Sequence, residues 1–136
     1  MKKEIPGWVD KVDPCEAGCP SRDILDLIGD RWSLLLLLVI AQGLHRNGEL
    51  KRRVGGISQK MLTQTLRALE ANGLVERRDF RTVPPHVEYH LTGLGASLGE
   101  ALTPLFGWIE REFDAVLAAR AAFAAREGGQ AAESAS

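Results

Sequence analysis

Residues 47–73 read NGELKRRVGGISQKMLTQTLRALEANG, and this stretch decides the fold. Asn47 is placed to cap a short helix over Glu49–Val54, with Glu49 near its positive end. Gly55-Gly56 breaks that helix. Ser58 then caps a longer one that runs to about Asn72, where Gly73 supplies a left-handed stop. Ile57, Met61, Leu62, Leu66 and Leu69 fall on one face of this second helix, and Gln59, Lys60, Thr63, Gln64 and Arg67 on the other. A short helix, a glycine turn and a longer amphipathic helix make the helix-turn-helix outline.

Working toward the C-terminus, the period changes from helix to strand. Leu74–Arg78 and Val87–Leu91 alternate as two strands, joined through Arg81–His86, where Pro84-Pro85 can donate no ladder bond. A hairpin needs a helix behind it, so the pair reads as a wing beside the two helices. Thr92 caps a last helical region from Gly93 to about Arg126. Its apolar stripe comprises Leu94, Leu98, Ala101, Leu102, Leu105, Trp108, Ile109, Phe113, Val116 and Leu117. Pro104 predicts a kink there, or two helices with Thr103 as the second cap. Residues 128–136, GGQAAESAS, read as a disordered tail.

Toward the N-terminus, Trp32–Ala41 is a helix closed by Gly43. Its run Leu34–Ala41 has no polar stripe, so it must be enclosed on every side. Ser21 is the expected cap of a preceding helix carrying Ile24, Leu25, Leu27 and Ile28. Residues 1–18, with Trp8 alone among charges, read as an irregular arm. The fold class is mostly α with a small β-hairpin wing, a winged helix-turn-helix spanning about 19–127.

The composition suits one small globular domain. Its 136 residues are 45% hydrophobic with a formal net charge of −1, too apolar and too near neutral for wholesale disorder. No apolar run approaches the ~20 residues of a bilayer span, and MKKEIPGWVDKVD lacks the apolar core of a signal peptide. The expectation is a cytoplasmic protein with no membrane partner. Charge is unevenly spread: residues 1–44 carry −2, 45–90 carry +4 and 91–136 carry −3. Local field rather than total charge steers a polyanion.

Gln and Arg reach base edges with paired hydrogen bonds, while Ser, Thr and Lys serve bases and phosphates. Ser58, Gln59, Lys60, Thr63, Gln64 and Arg67 are therefore the candidate contacts to double-stranded DNA. On the wing, strand alternation keeps Arg77 and Arg78 from facing DNA together; Arg78, Arg81 and His86 are taken as contacts. Arg53, ending the short helix, suits either a phosphate or the helix dipole. The alternatives are a solvated helix face and a winged protein-interaction module that binds no DNA. Cys15 and Cys19 are too few for a secreted disulfide scaffold. With no fitting histidine spacing they suggest no metal site. Cys19 precedes a helix N-terminus, where a thiolate is stabilised, so a redox role stands beside that of a small buried hydrophobe. No nucleophile–base pair or phosphate loop stands out, so neither an enzyme nor a cofactor is expected.

Taken in order, Cys19-Pro20, Ile28-Gly29-Asp30-Arg31-Trp32, Glu49-Leu50-Lys51, Gly56–Thr63, Leu66–Glu70, Gly73-Leu74-Val75, Val83-Pro84-Pro85, Val87-Glu88-Tyr89 and Leu91-Thr92 resemble the HxlR-type family of bacterial winged helix-turn-helix regulators. The resemblance covers about Cys19–Trp108. It implies a homodimer joined through N- and C-terminal helices, a recognition helix at Ser58–Asn72, and control of nearby genes, more often by repression. It also implies, for some members, sensing of oxidants, quinones or aldehydes through a cysteine at the Cys19 position, so an oxidant or small-molecule effector is expected. The chain departs from the family pattern at Arg46-Asn47-Gly48, where an aromatic and the usual cap are replaced. Cys15 is an additional thiol, placed to act as a local resolving partner.

Overall fold

The computed structural model describes the backbone of residues 12–135 and the side chains of residues 12–129. Trp8 and the rest of 1–11 lie outside the described residues, as does residue 136. Two compact units divide at Gly99/Glu100. The first holds α1 (Pro20–Gly29), α2 (Arg31–Ala41), α3 (Asn47–Arg53), α4 (Gln59–Ala71), β1 (Val75–Asp79), β2 (Val87–Leu91) and the start of α5 (Gly93–Ala135).

Residues 12–19 form turns, closed by Glu16 N–H to the Asp13 carbonyl at 3.1 Å and Cys19 N–H to the Glu16 carbonyl at 3.1 Å. The first helix is not capped by Ser21. Pro20 has no N–H and a preset φ, so it occupies the opening helical position and Cys19 becomes the cap residue. Asp30 performs two tasks the sequence reading missed. Its N–H closes α1 on the Leu27 carbonyl, and its carboxylate caps α2 by accepting from Ser33 N–H at 3.2 Å. Gly43, at φ 102°, ends α2 as expected.

Asn47 does not cap α3 either. The cap position is Arg46, whose side chain makes no capping bond. Its backbone is held extended because it bridges Glu88 on β2, while Tyr89 N–H donates to the His45 carbonyl at 2.8 Å. A one-residue extension of the sheet therefore sets where α3 begins. Ser58 caps α4 as read, accepting from Met61 N–H at 3.1 Å, and Gly73 turns the chain at φ 73°.

The wing is a two-stranded antiparallel sheet in the register Val75↔Leu91 to Asp79↔Val87. Its first strand begins one residue later than the alternation suggests. Leu74 still belongs to the helix stop, donating to the Leu69 carbonyl at 2.9 Å. The core of this unit comprises Leu36, Leu37, Val39, Ile40, Leu50, Val54, Ile57, Leu62, Leu66, Leu69, Leu74 and Val75, all buried. Each contributes about 1.5–3 kcal/mol of transfer free energy. Thr65, unremarked in the sequence, is buried among them and satisfies its hydroxyl on the Met61 carbonyl at 2.7 Å.

Thr92 caps α5, accepting from Gly95 N–H at 3.0 Å and donating to the Gly73 carbonyl. In the second unit the residues on both sides of Pro104 belong to one helix, so the two-helix alternative does not hold. Pro104 removes one donor, and the leucine- and alanine-rich flanks favour helix strongly. The helix also runs on through 128–135, where the sequence suggested disorder.

Gly95 is required by close approach: a Cβ there would overlap the Leu74 carbonyl oxygen, which is backbone and cannot swing away. Gly95→Ala is expected to destabilise the fold by about 3 kcal/mol, the upper end of overpacking costs, read as a lowered urea midpoint at unchanged m. An unchanged midpoint would contradict this packing.

Candidate nucleic-acid interface

Burial of Leu62, Thr65, Leu66 and Leu69 turns one side of α4 inward, and the remaining positions follow from the helical period. Gln59, Lys60, Thr63, Gln64 and Arg67 are all exposed, as is Ser58 at the cap. Gln59 Nε2 donates to Thr63 Oγ1 at 3.2 Å, tying two of these side chains together. Lys60, Gln64 and Arg67 have no side-chain partner among the described residues. The structure thus brings the six predicted α4 residues onto one open ridge.

Arg53 is exposed at the end of α3. It lines a shallow groove of about 350 Å³ with Leu44, Glu49 and Arg52. A neighbouring groove of about 400 Å³ is lined by Arg46, Gly48, Glu49 and Arg52. The sequence reading passed over Arg46 as an interface residue. Its isolated bridge to β2 is a nonlocal pairing that no local pattern announces.

On the wing, the arginines are less free than expected. Arg78 pairs with Glu76 at 3.5 Å and Arg77 with Asp79 at 4.0 Å, each along one side of β1. Exposed pairs of this kind are worth about 0–1 kcal/mol and yield readily to a phosphate. Arg81 stands at the wing tip at φ 52°, in the left-handed region, held there by its N–H on Asp79 Oδ1 at 2.9 Å. His86 departs most from the sequence reading. Its Nε2 lies 2.6 Å from Glu88 Oε2 and its ring packs edge-on against Phe80, so it faces the carboxylate of a residue two positions on, in β2.

His90 Nε2 lies 2.7 Å from the other oxygen of Glu88, and His45 stacks on His90 with ring centroids 3.8 Å apart. The two Nε2 atoms take opposite oxygens of one carboxylate, and stacked rings cannot aim lone pairs at a common point. No set of metal-ligating side chains able to hold an ion is found among the described residues.

Both cysteines are free; Cys15 is exposed and Cys19 half-buried. Cys19 Sγ lies 3.0 Å from Ser21 Oγ. That hydroxyl, then the Ser21 and Asp13 backbones, hold the Cys19 thiol below its ordinary range, against burial and the charge of Glu16. Cys15 N–H donates to Asp13 Oδ1 at 3.0 Å.

A buried three-helix core, an exposed polar ridge on its last helix and an arginine-bearing hairpin beside it define a winged helix-turn-helix DNA-binding regulator. The HxlR-like helix-turn-helix family matches residues 27–116, and the chain belongs to that family. It is 46% identical over 102 residues to YtfH of Escherichia coli strain K12, named as an HTH-type transcriptional regulator and itself uncharacterised; the match covers 75% of this chain and 81% of YtfH. Among solved structures, ytfH from Salmonella typhimurium superimposes with a TM-score of 0.73 at 43% identity, over 78% of this chain and 95% of that one. The redox regulator HypR in its reduced form gives a TM-score of 0.67 at 37% identity, over 73% and 98%. Diamide-treated YodB from B. subtilis gives 0.59 at 33%, over 71% and 96%. No helix among the described residues is long and apolar enough to cross a membrane.

Two predictions follow from the site chemistry. Glu88's carboxyl is held below its ordinary range by hydrogen bonds from His90, then His86, against burial. A depressed carboxyl stabilises the fold fully at neutral pH and loses that contribution as pH falls below the ordinary glutamate range. Glu88→Gln should therefore flatten the decline of Tm between about pH 5 and pH 3; parallel curves would rule this out. Ser21→Ala should raise the midpoint of the pH profile for Cys19 alkylation, measured in a Cys15→Ser background, whereas coincident profiles would remove Ser21 as the activating group.

Proposed function

We propose that this regulator acts as a homodimer, most simply a repressor, on a roughly palindromic operator. In this reading α4 lies in the major groove, with Gln59, Lys60, Thr63, Gln64 and Arg67 toward base edges and Ser58 toward the backbone. Arg78 and Arg81 hold the adjoining phosphates from the wing, and Arg53 holds one from α3. The observation that carries the reading is the segregation on α4: its apolar side is spent in the core, leaving an uninterrupted polar side of the width a ~12 Å groove admits.

Dimerisation is supported by apolar side chains left uncovered on helices. In the first unit α1 buries none of its residues and exposes Ile24 and Leu25. In the second, Leu105, Trp108, Ile109, Phe113 and Leu117 are exposed along α5. Such faces call for a partner surface. A two-fold dimer would present its recognition helices about 34 Å apart. The Cys19 thiol, held below its ordinary range by Ser21, together with likeness to the redox regulator HypR and to diamide-treated YodB, supports response to an oxidant, with Cys15 as the nearby second thiol.

Selection of bound sequences from random duplexes, with the mass of the complex measured alongside, tests the reading. Enriched inverted repeats bound by two copies are expected; recovery of no sequence, or a monomer on a single site, would overturn it. On the selected operator, Arg67→Ala should weaken binding by about 1–3 kcal/mol and relax one base position. Arg81→Ala should weaken all sequences alike and reduce the salt slope by about one unit. An Arg67→Ala titration matching wild type would remove Arg67 from the readout.

A further inference from the structure

The chain has three histidines; two of them, His86 and His90, meet at the Glu88 carboxylate, and the third, His45, stacks on His90. Glu88 and His90 alternate along β2 and His86 immediately precedes it, and both imidazoles reach the one carboxylate. An ionised carboxylate only accepts, so His86 and His90 each present a protonated Nε2 to Glu88, at 2.6 and 2.7 Å. His45 joins from the segment that opens α3. Its Nδ1, 2.9 Å from the Tyr89 carbonyl, is the donor there, and its ring lies on His90. The group therefore bridges the wing and the start of the helix-turn-helix.

The charged surroundings come from each neighbouring element. From β1, Glu76 stands opposite His90 and Arg78 opposite Glu88. Arg46 bridges Glu88 from the other side, and α3, packed on β2, brings Glu49, Lys51, Arg52 and Arg53. The ionisable side chain of α2, Arg31, lies over the Trp32 ring. Phe80 brings no charge to His86. With neutral imidazoles the His86–Glu88–His90 clamp carries −1, and with both protonated it carries +1. Imidazole is the side chain whose ordinary pKa lies between pH 5 and 8.

We propose that the His86–Glu88–His90 clamp makes operator binding pH-dependent, tightening it as pH falls through the histidine range. The proposal rests on the wing lying against DNA, as argued above. Protonation turns two neutral N–H···O⁻ bonds into ion-paired ones, so the contacts persist while the sign of the local charge reverses. Hydrogen bonds from His90 and His86 hold Glu88 ionised across that window. Each added charge that neutralises a phosphate steepens the salt dependence by about 0.9 units.

Fluorescence anisotropy with the full chain and its selected operator, at about pH 8 and about pH 6 and constant ionic strength, tests this. Wild type should bind at least about fivefold tighter at the lower pH, with a salt slope steeper by about one to two units. The readout is the ratio of affinities at the two pH values within each protein. In His86→Gln/His90→Gln the amide keeps a donor for Glu88 but carries no titratable charge, and the ratio should fall to near one, which also separates the clamp from the Cys19 thiol. His86→Gln and His90→Gln singly should each lose about half the slope change, which covers the case of a double variant that fails to fold. A wild-type ratio of one, or a double variant that keeps the wild-type ratio, would overturn the clamp alone. Failure to bind any duplex at either pH would overturn the DNA reading and the clamp with it.

Discussion

Leu62, Leu66 and Leu69 have no exposed surface, and Thr65 between them is nearly as deep. Their burial against the leucine-rich α2 is the constraint on which the rest of the molecule depends. A helix with one side committed to a core has one other side to offer, and here that side carries glutamine, lysine, threonine and arginine. Rotating α4 to hide its polar ridge would expose three leucines at a cost of several kcal/mol. The same burial positions Gly73 and the strand that follows, because Leu74 closes the helix and Val75 enters the core.

The wing is held differently. Little of it is buried, and its order comes from directed polar contacts: the Arg46 bridge, the His45 stack and the two imidazoles on Glu88. Such contacts are individually modest but fix orientation. A surface that meets phosphate gains from this, since a hairpin set by polar contacts can exchange some of them for contacts to a ligand. The pairs Arg77–Asp79 and Arg78–Glu76 are exposed enough to exchange in that way.

Around the two cysteines, local geometry decides which sulfur has a side-chain hydrogen-bond partner. Pro20 moves the helix start so that Cys19 takes the cap position and Ser21 comes within hydrogen-bonding distance of its sulfur. Cys15, four residues earlier, sits exposed in a turn with no comparable donor to its sulfur. Two thiols of one short segment are thereby distinguished by a single proline.

By itself the sequence determined the order of elements, the glycine stops at Gly43 and Gly73, the Ser58 and Thr92 caps, and the segregation of α4. All are local: a 3.6-residue period, a left-handed glycine and a capping hydroxyl are complete within a few residues. The exposed ridge from Gln59 to Arg67 was legible for that reason. Tertiary structure decided what depends on residues far apart in the chain. The start of α3 was set by a bridge from Arg46 to Glu88, not by Asn47. Gly95 was required by the approach of Leu74. His86, read as a phosphate contact, was turned to Glu88, which His90 also reaches while His45 stacks against the His90 ring. Propensity and period report a residue's relation to its own helix or strand, whereas the stack of His45 on His90 exists only once separate segments have packed.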